Sequence, residues 1–215
     1  MYIPGRYKEL DPKVIEQFLR ANDFATLVSF DGERPIATHL LVDFQHRADG
    51  SLALNGHMAR ANKQWQTLDA GREVLTIFSG PHTYISPRWY NHTSVPTWNY
   101  MSVHVYGTPR VMTEHDELYA LLKRLVDKHE GDSGAVSPYR LECLPDEFVT
   151  KQMQAVVGFQ IEISRMEASF KLSQNRNQES YDNVVTELYR RTDDNSLAVA
   201  EAMKERRAKL FGGKS

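Results

Sequence analysis

The chain of 215 residues contains one cysteine, Cys143, so it cannot form an internal disulfide. Because disulfide-free chains are typical of reducing compartments, we expect a cytoplasmic protein. Long apolar runs are also missing. The run 24–30 is far shorter than the roughly 20 residues that span a bilayer, and no signal peptide is visible. We therefore expect no membrane partner.

Signatures of metal and dinucleotide chemistry are missing as well. The eight histidines form no HExxH pattern and no pair spaced by four residues, so no metal site is predicted. No GxGxxG follows a strand pattern, which argues against an embedded dinucleotide domain. Cys143 lies in the sequence LECLP without a partner motif and is interpreted as a structural thiol. No catalytic side chain is identified, so the sequence leaves open whether the protein is an enzyme.

The charge balance gives no general attraction to nucleic acid, because the formal net charge is −2. Basic residues concentrate only near the C-terminus, where Lys204, Arg206, Arg207, Lys209 and Lys214 outnumber the acids. A solvated terminal helix with cations near its negative dipole end explains this concentration. No helix-turn-helix pattern is evident, so direct DNA binding is doubtful.

The hydrophobic content of 41% suits one compact domain over residues 1–215, with a helical extension from about 180 to 215. Alternating or apolar patterns predict strands at 24–30, 35–44, 51–55, 73–79, 97–112 and 156–163. Helical spacing predicts helices beginning near 12 and near 145, and others at 114–129, 180–191 and 195–210. The aromatic, proline-rich segment 81–96 is expected to be irregular. Strands bracketed by helices, without a βαβ rhythm, indicate the α+β class.

The run 56–65, GHMARANKQW, follows a strand pattern and is predicted to open a polar helix. Free N–H groups and the dipole at a helix N-terminus attract anions, and an adjacent arginine can bind a phosphate with two hydrogen bonds. The spacing alone also fits an ordinary strand-to-helix connection with Arg60 as a solvated surface charge.

Several motifs lie in order along most of the chain: MYIP at the start, FATLV at 24–28, the run 56–65, FSGP at 78–81, YISP with WY at 84–90, VPTWNY at 95–100 and KLSQN at 171–175. Together they resemble the motifs of the PaiB-like family of FMN-binding negative transcriptional regulators. Each motif is weak alone, and their order and number make the resemblance specific.

The resemblance implies an FMN-binding split β-barrel, a Greek-key antiparallel barrel with flanking helices, related to the pyridoxamine-phosphate-oxidase-like group. Members of that wider group bind FMN, F420 or haem, usually between two subunits, so a homodimer is expected. Carried onto this sequence, the resemblance offers Arg60 and Asn62 for the FMN phosphate, with His57 beside them. It offers Thr38, His39 and Leu40 for the ring or ribityl chain, and Trp98 and Asn99 from the partner subunit.

Three functions remain open at this point. The first is a flavin-dependent small-molecule oxidoreductase, and the second is a flavin-sensing regulator that acts directly or through partners. The third is a haem-binding or haem-processing split barrel, for which His57, His92 and His104 are the candidate ligands. A fold of this kind hosts several activities, so the resemblance does not choose a reaction.

Overall fold

We describe residues 1–131 and 139–212 of a computed structural model. The seven strands are β1 Lys8–Glu9, β2 Phe24–Phe30, β3 Pro35–His46, β4 Leu52–Ala59, β5 Val74–Ile85, β6 Thr97–Val111 and β7 Val156–Lys171. The five α-helices are α1 Pro12–Ala21, α2 His115–Gly131, α3 Asp146–Gln154, α4 Gln178–Tyr189 and α5 Asp194–Phe211. Short 3-10 helices cover Gly5–Tyr7, Lys63–Thr67, Pro87–Trp89 and Leu141–Cys143. The α+β class is therefore confirmed.

The strands form one sheet in the order β1-β7-β4-β3-β2-β5-β6, and β6 also pairs with β7. Because β6 bonds to both β5 and β7, six strands close into a barrel and β1 lies on its edge. The pairs β1–β7, β2–β3, β2–β5, β3–β4 and β4–β7 are antiparallel. Closure satisfies the backbone groups that an open sheet edge would leave unpaired.

Several predicted elements are confirmed and three need correction. The strand 24–30 and the five helices occur close to their predicted limits. The predicted helix after residue 60 is wrong: β4 continues through Ala59, and only the five-residue 3-10 helix Lys63–Thr67 follows. The segment 81–96 is not irregular throughout, because β5 extends to Ile85. Strand β7 also runs eight residues beyond its predicted end, to Lys171.

The chain divides into two compact units. The first unit contains residues 1–18, 79–104 and 167 onward, and the second contains 19–78 and 105–166. The single domain over residues 1–215 and its helical extension from about 180 to 215 stay predictions. Residues 132–138 and 213–215, including Lys214, lie outside the described residues. Within the described residues, no helix is both long enough and apolar enough to cross a membrane.

The core of the second unit is built from strand residues that alternate between the two faces of the sheet. In β2 the burial alternates residue by residue, and Leu27 is fully buried. Large buried side chains come from the other strands of this unit: Leu54, Phe78, Phe159 and Ile161. Full burial of a side chain of this size contributes about 1.5–3 kcal/mol each to folding. The alternation that predicted the strands therefore also fixes which side chains form this core.

The first unit is held largely by helices α4 and α5. Tyr181 on α4 is fully buried, and its hydroxyl donates to the backbone oxygen of Met203 on α5 at 2.7 Å. The ring of Phe211 meets the Tyr181 ring edge-on, with 5.2 Å between centroids. Burial raises the pKa of the Tyr181 hydroxyl, so it stays protonated and remains a donor. Asn177 and Asp193 cap the two helices through their side chains.

Candidate functional site

Five of the eight predicted site residues line one open groove of the second unit. They are Thr38, His39, Leu40, His57 and Asn62, and the groove has a volume of about 480 Å³. We call it the His57 groove. Its remaining lining residues are Leu41, Met58, Ala59 and Val156. The volume lies within the range of small-molecule sites, which is roughly 300–1,000 Å³.

The groove opens where strands β3 and β4 stop pairing. Their ladder runs from His46 opposite Leu52 to Val42 opposite Gly56, and beyond that point β4 pairs only with β7. The β3 residues before Val42 therefore have no neighbour on β4. Since strand side chains alternate, Leu40 points into the core at 6% exposure while its neighbours remain accessible.

A hydrogen-bonded network joins Thr38 and Asn62 at one end of the groove. The Asn62 amide donates to the Thr38 hydroxyl at 2.8 Å, and that hydroxyl donates to the side-chain oxygen of Gln64. Gln64 is 3% exposed, and its amide nitrogen donates to Leu27 O and Ser29 Oγ, both at 3.1 Å. Asn62 also caps the 3-10 helix by accepting from the Gln64 N–H. The network thus fixes the orientation of two predicted site residues.

Gln64 was missed as a site residue by the sequence analysis. A glutamine in a polar run is usually exposed, and nothing in its spacing indicates that this one is buried. The only signal is its place within the run 56–65. Its role follows from the short 3-10 helix, which turns it toward the β2 and β3 backbone.

His57 lies on β4 with its side chain partly buried in the groove. Its Nδ1 atom is buried and has no hydrogen-bond partner among the described residues. Burial lowers the pKa of the His57 ring, so the neutral form is favoured. A buried nitrogen without a partner costs free energy, and a ligand in the groove would remove that cost.

Arg60 is exposed and bound to the backbone rather than free. Its Nε donates to Gln154 O at 2.8 Å, and one terminal nitrogen donates to Val156 O at 3.0 Å. Its own N–H donates to Ala155 O, and Trp65 Nε1 donates to the Arg60 carbonyl. Arg60 therefore fastens the end of β4 to the start of β7. The other terminal nitrogen has no partner within the part of the chain that the structure describes, and Arg60 does not line the His57 groove.

A second open groove of about 590 Å³ adjoins the same network in the second unit. Thr38 and Asn62 line it as well as the His57 groove. Two cations on its lining, Lys63 and Arg72, have no ion-pair or hydrogen-bond partner among the described residues. We call this the Lys63 groove. It supplies positive charge beside the predicted site that the sequence analysis did not single out.

Trp98 and Asn99 belong to the first unit, and their side chains differ in exposure. Trp98 is 47% exposed and stacks on His82, with 5.8 Å between ring centroids. Asn99 is fully buried and its amide donates to Ser173 Oγ at 3.0 Å. The structure brings neither of them into the His57 groove of the second unit by any described contact. Their assignment to a partner's flavin stays a prediction.

The other residues that the sequence analysis considered form no alternative centre. Among residues 1–131 and 139–212, no group of three or more His, Cys, Asp or Glu side chains could hold a metal ion. Cys143 is a free, exposed thiol. His92 is exposed and bonds to Asn91, and burial lowers the pKa of the His104 ring.

Comparison with protein families gives a match over residues 1–165 to the family described as "Putative FMN-binding domain". The chain belongs to this FMN-binding family. It is also 38% identical, over 206 residues, to the protein named "Protease synthase and sporulation protein PAI 2" of Bacillus subtilis. That alignment covers 96% of this chain and 98% of the relative. The predicted resemblance is confirmed.

Solved structures with the same fold support the split-barrel prediction. The FAD and heme binding protein from Mycobacterium smegmatis matches with a TM-score of 0.57 and 14% identity, over 77% of this chain and 73% of that chain. The flavocytochrome Anf3 from Azotobacter vinelandii matches with a TM-score of 0.55 and 14% identity, over 76% and 69%. At this level of identity the likeness shows the fold, and the FMN-binding assignment rests on the family.

The residues of the His57 groove fit the chemistry of FMN. A flavin site needs polar side chains for the ribityl hydroxyls, apolar walls for the ring and cations for the phosphate. Thr38 and Asn62 supply the first, Leu41 and Val156 supply the second, and Lys63 lies next in sequence to Asn62. The partnerless Nδ1 of His57 is an additional polar atom that a ligand in this groove would satisfy.

Proposed function

We propose that FMN binds in the His57 groove and that the protein uses it in a redox reaction of a small molecule. The observation that carries this proposal is an open groove lined by Thr38, Asn62 and the partly buried His57, whose Nδ1 is buried without a hydrogen-bond partner among the described residues. In this proposal the His39 ring and Leu41, which share one face of β3, flank the isoalloxazine. Bound FMN supplies hydride or single-electron transfer, and the protein binds and orients it.

The phosphate is proposed to lie at the junction of the two grooves. There the Asn62 amide and the ammonium of Lys63 supply donors and charge. Arg60 lines neither groove, and in this proposal it reaches the phosphate only through its remaining terminal nitrogen. Arg60 has a double role in this proposal, because two of its N–H groups also hold the backbone of residues 154–156. A phosphate dianion gains most from donors that are charged.

Replacing Lys63 or Arg60 by alanine is expected to weaken FMN binding by about 10- to 100-fold. A hydrogen bond to a charged group contributes ~1.5–3 kcal/mol, and each 1.4 kcal/mol is about tenfold in affinity. Riboflavin lacks the phosphate, so its affinity is expected to stay unchanged in both variants. Flavin fluorescence quenching measures both ligands on the same protein.

The two variants are expected to differ in stability. Arg60→Ala also loses the bonds to Gln154 O and Val156 O, so its melting temperature falls, whereas Lys63→Ala melts like the wild type. If either variant loses riboflavin and FMN to the same extent, its residue does not contact the phosphate. In that case Arg60 serves only the backbone.

We propose a homodimer, as in the wider split-barrel group. Within the first unit, the outward face of β6 begins with Trp98, which packs against the rings of His82 and Tyr84 and is still 47% exposed. Exposed aromatic clusters of this kind are typical of protein interfaces. Trp98 and Asn99 would then contribute to the partner's flavin site.

Light scattering at micromolar concentration is expected to give the mass of two chains. An interface of the obligate kind buries more than ~2,000 Å² in total. Trp98→Ala is expected to shift the distribution toward monomer and to weaken FMN binding, while Tyr189→Ala, an exposed aromatic on α4, leaves both unchanged. A wild-type monomer that retains bound flavin would contradict the proposed dimer.

We propose, as a second function, a regulatory role without turnover. In this role the protein acts through partners rather than by binding DNA itself. The basic concentration on α5 is largely paired: Arg206 bonds to Glu9 at 2.5 Å, Arg207 to Asp182 at 2.6 Å, and Lys204 approaches Glu201. Cations held by carboxylates are poor partners for DNA phosphates.

The absorbance of the bound flavin distinguishes the regulator from the enzyme. Reduction of the flavin by a nicotinamide donor supports the enzyme. Flavin that no electron donor reduces supports the regulator.

The haem alternative is decided by the absorption spectrum of the purified protein. Flavin bands support the first two proposals, and a Soret band supports haem.

We also propose a cytoplasmic location, since the only cysteine is a free thiol.

A further inference from the structure

Two cations line the Lys63 groove of the second unit, and no carboxylate of the described residues pairs with either of them. Lys63 begins the 3-10 helix Lys63–Thr67, whereas Arg72 lies in the segment that leads into β5. The groove of about 590 Å³ thus brings free cations from two segments to one space. That volume lies within the range of small-molecule sites.

The two acids that flank Arg72 in sequence are bound by other elements. The Asp69 carboxylate accepts from the backbone N–H of Val111 at 3.2 Å, and the Glu73 carboxylate accepts from the Ser164 hydroxyl at 2.7 Å. Neither acid forms an ion pair with Arg72 in the part of the chain that the structure describes. The guanidinium of Arg72 therefore keeps its donors for a ligand in the groove.

One acid, Asp31, also lines the groove, and its charge is held by the hairpin between β2 and β3. Its carboxylate accepts from the N–H groups of Glu33 and Arg34, both at 2.9 Å, and lies 3.6 Å from Nε of Arg34. The hydrogen bonds from the Arg34 and Glu33 N–H groups lower the pKa of Asp31, so it stays ionised. Because Arg34 balances this acid, the lining of the groove keeps a positive excess that favours an anionic ligand.

The same groove contains an exposed aromatic side chain. Phe30 lines it at the end of β2 and is 45% exposed. Its ring contacts no other aromatic ring among residues 1–131 and 139–212. Ile36 and Ala37 add apolar surface to the lining. An exposed ring beside free cations suits a ligand that joins a planar ring to an anionic group, as a nucleotide does.

We propose that the Lys63 groove binds a nucleotide, with its phosphate on Arg72 and its base against Phe30. A guanidinium binds a phosphate through two parallel hydrogen bonds. The inference extends the flavin proposal, which puts the FMN phosphate beside Asn62 and Lys63 and leaves Arg72 and Phe30 unused. These two residues line the Lys63 groove and not the His57 groove. The nucleotide is either the adenylate half of a flavin dinucleotide or a separate molecule, and the experiment distinguishes the two.

Calorimetric titration of AMP into the full chain tests the proposal. Arg72→Gln is expected to weaken AMP binding by about tenfold or more, because a charged hydrogen-bond donor is lost. Phe30→Ala is expected to weaken AMP binding by about fivefold or more, because the base loses its stacking surface. Ribose 5-phosphate has no base, so it is expected to bind Phe30→Ala and the wild type alike. Both side chains are exposed, so both variants are expected to fold.

The matched controls lie on α3, where an exposed cation and an exposed aromatic residue line neither groove. Lys151→Gln and Phe148→Ala are expected to bind AMP like the wild type. FMN is expected to keep its affinity in Arg72→Gln and Phe30→Ala, and to lose affinity in Lys63→Ala. An equal loss of FMN and AMP in Arg72→Gln would assign Arg72 to the flavin phosphate and overturn the proposal.

A comparison of FAD with FMN identifies the source of the nucleotide. If FAD binds more tightly than FMN and Arg72→Gln removes the difference, the nucleotide is the flavin's own adenylate. If the two flavins bind alike and AMP still binds the FMN-loaded protein, the nucleotide is a separate molecule.

The same measurements separate this proposal from the flavin proposal. AMP binding that depends on Arg72, in a protein that binds neither FMN nor riboflavin, would support the nucleotide site and contradict the flavin site. The nucleotide site is overturned if AMP does not bind and FAD binds no more tightly than FMN. It is also overturned if Arg72→Gln leaves the affinities for AMP and FAD unchanged.

Discussion

Gly107→Ala is expected to destabilise the second unit by more than ~3 kcal/mol and to leave little soluble native protein. A Cβ atom at this position would lie 2.2 Å from the backbone oxygen of Glu162 and 2.6 Å from Cγ2 of Ile161. Relief requires β6 to move away from β7, and that pairing closes the barrel. Overpacking against side chains alone costs typically ~1–3 kcal/mol, and a clash with backbone exceeds this.

Urea denaturation followed by circular dichroism measures the loss. Gly131→Ala is the matched control, because none of the described residues lies within 4 Å of a Cβ added there, at the end of α2. We expect its stability to remain within about 0.5 kcal/mol of the wild type. A Gly107→Ala protein that unfolds at the wild-type urea concentration would show that the β6–β7 pairing tolerates a side chain.

Gln64→Leu is expected to lower stability by about 3 kcal/mol and FMN affinity by about tenfold. Leucine keeps the approximate size of the side chain and removes every polar atom from the network. Leu27 O and the Thr38 hydroxyl would then lose buried partners, and each unsatisfied buried group costs about 1–3 kcal/mol. Since Gln64 orients Thr38 and Asn62, the loss extends to the flavin through their misplacement.

The control is Gln152→Leu, at an exposed glutamine on α3 that lines neither groove. It is expected to change neither the melting temperature nor the FMN affinity. Riboflavin is expected to weaken with FMN in Gln64→Leu, because Gln64 orients Thr38, which the proposal assigns to the ribityl chain that both ligands carry. Unchanged riboflavin affinity in this variant would place the ribityl chain elsewhere than at Thr38 and Asn62.

The sequence predicted the strands whose burial alternates and the helices with a regular apolar spacing. It located β2 to the residue because the run 24–30 is nearly all apolar, although one of its three buried residues is the polar Ser29. It placed the end of β5 too early, since Gly80 and Pro81 normally end a strand and here remain within it. Similarly, the largely polar run 164–167 is typical of a loop, whereas β7 continues through it to Lys171. The later residues 168 and 169 pair with β1, and β6 also pairs with β7.

The candidate site was only partly predictable. The family resemblance and the strand pattern indicated Thr38, His39 and Leu40, and the structure brings them into one groove with His57 and Asn62. The helix expected at Arg60 is wrong, because the pairing of β4 with β7 extends the strand to Ala59. A hydrophobic pattern carries no information about a pairing strand in another part of the chain. Gln64 was missed because its hydrogen-bond partners, Leu27 and Ser29, are likewise distant in sequence.

Cys143 gives each chain one exposed attachment point for a fluorescent dye. A maleimide at this thiol would therefore mark each polypeptide once, without prior removal of competing cysteines. The number of photobleaching steps of a single particle then reports the number of chains directly. With the intrinsic emission of the flavin as a second colour, the same particle reports how many cofactors accompany those chains.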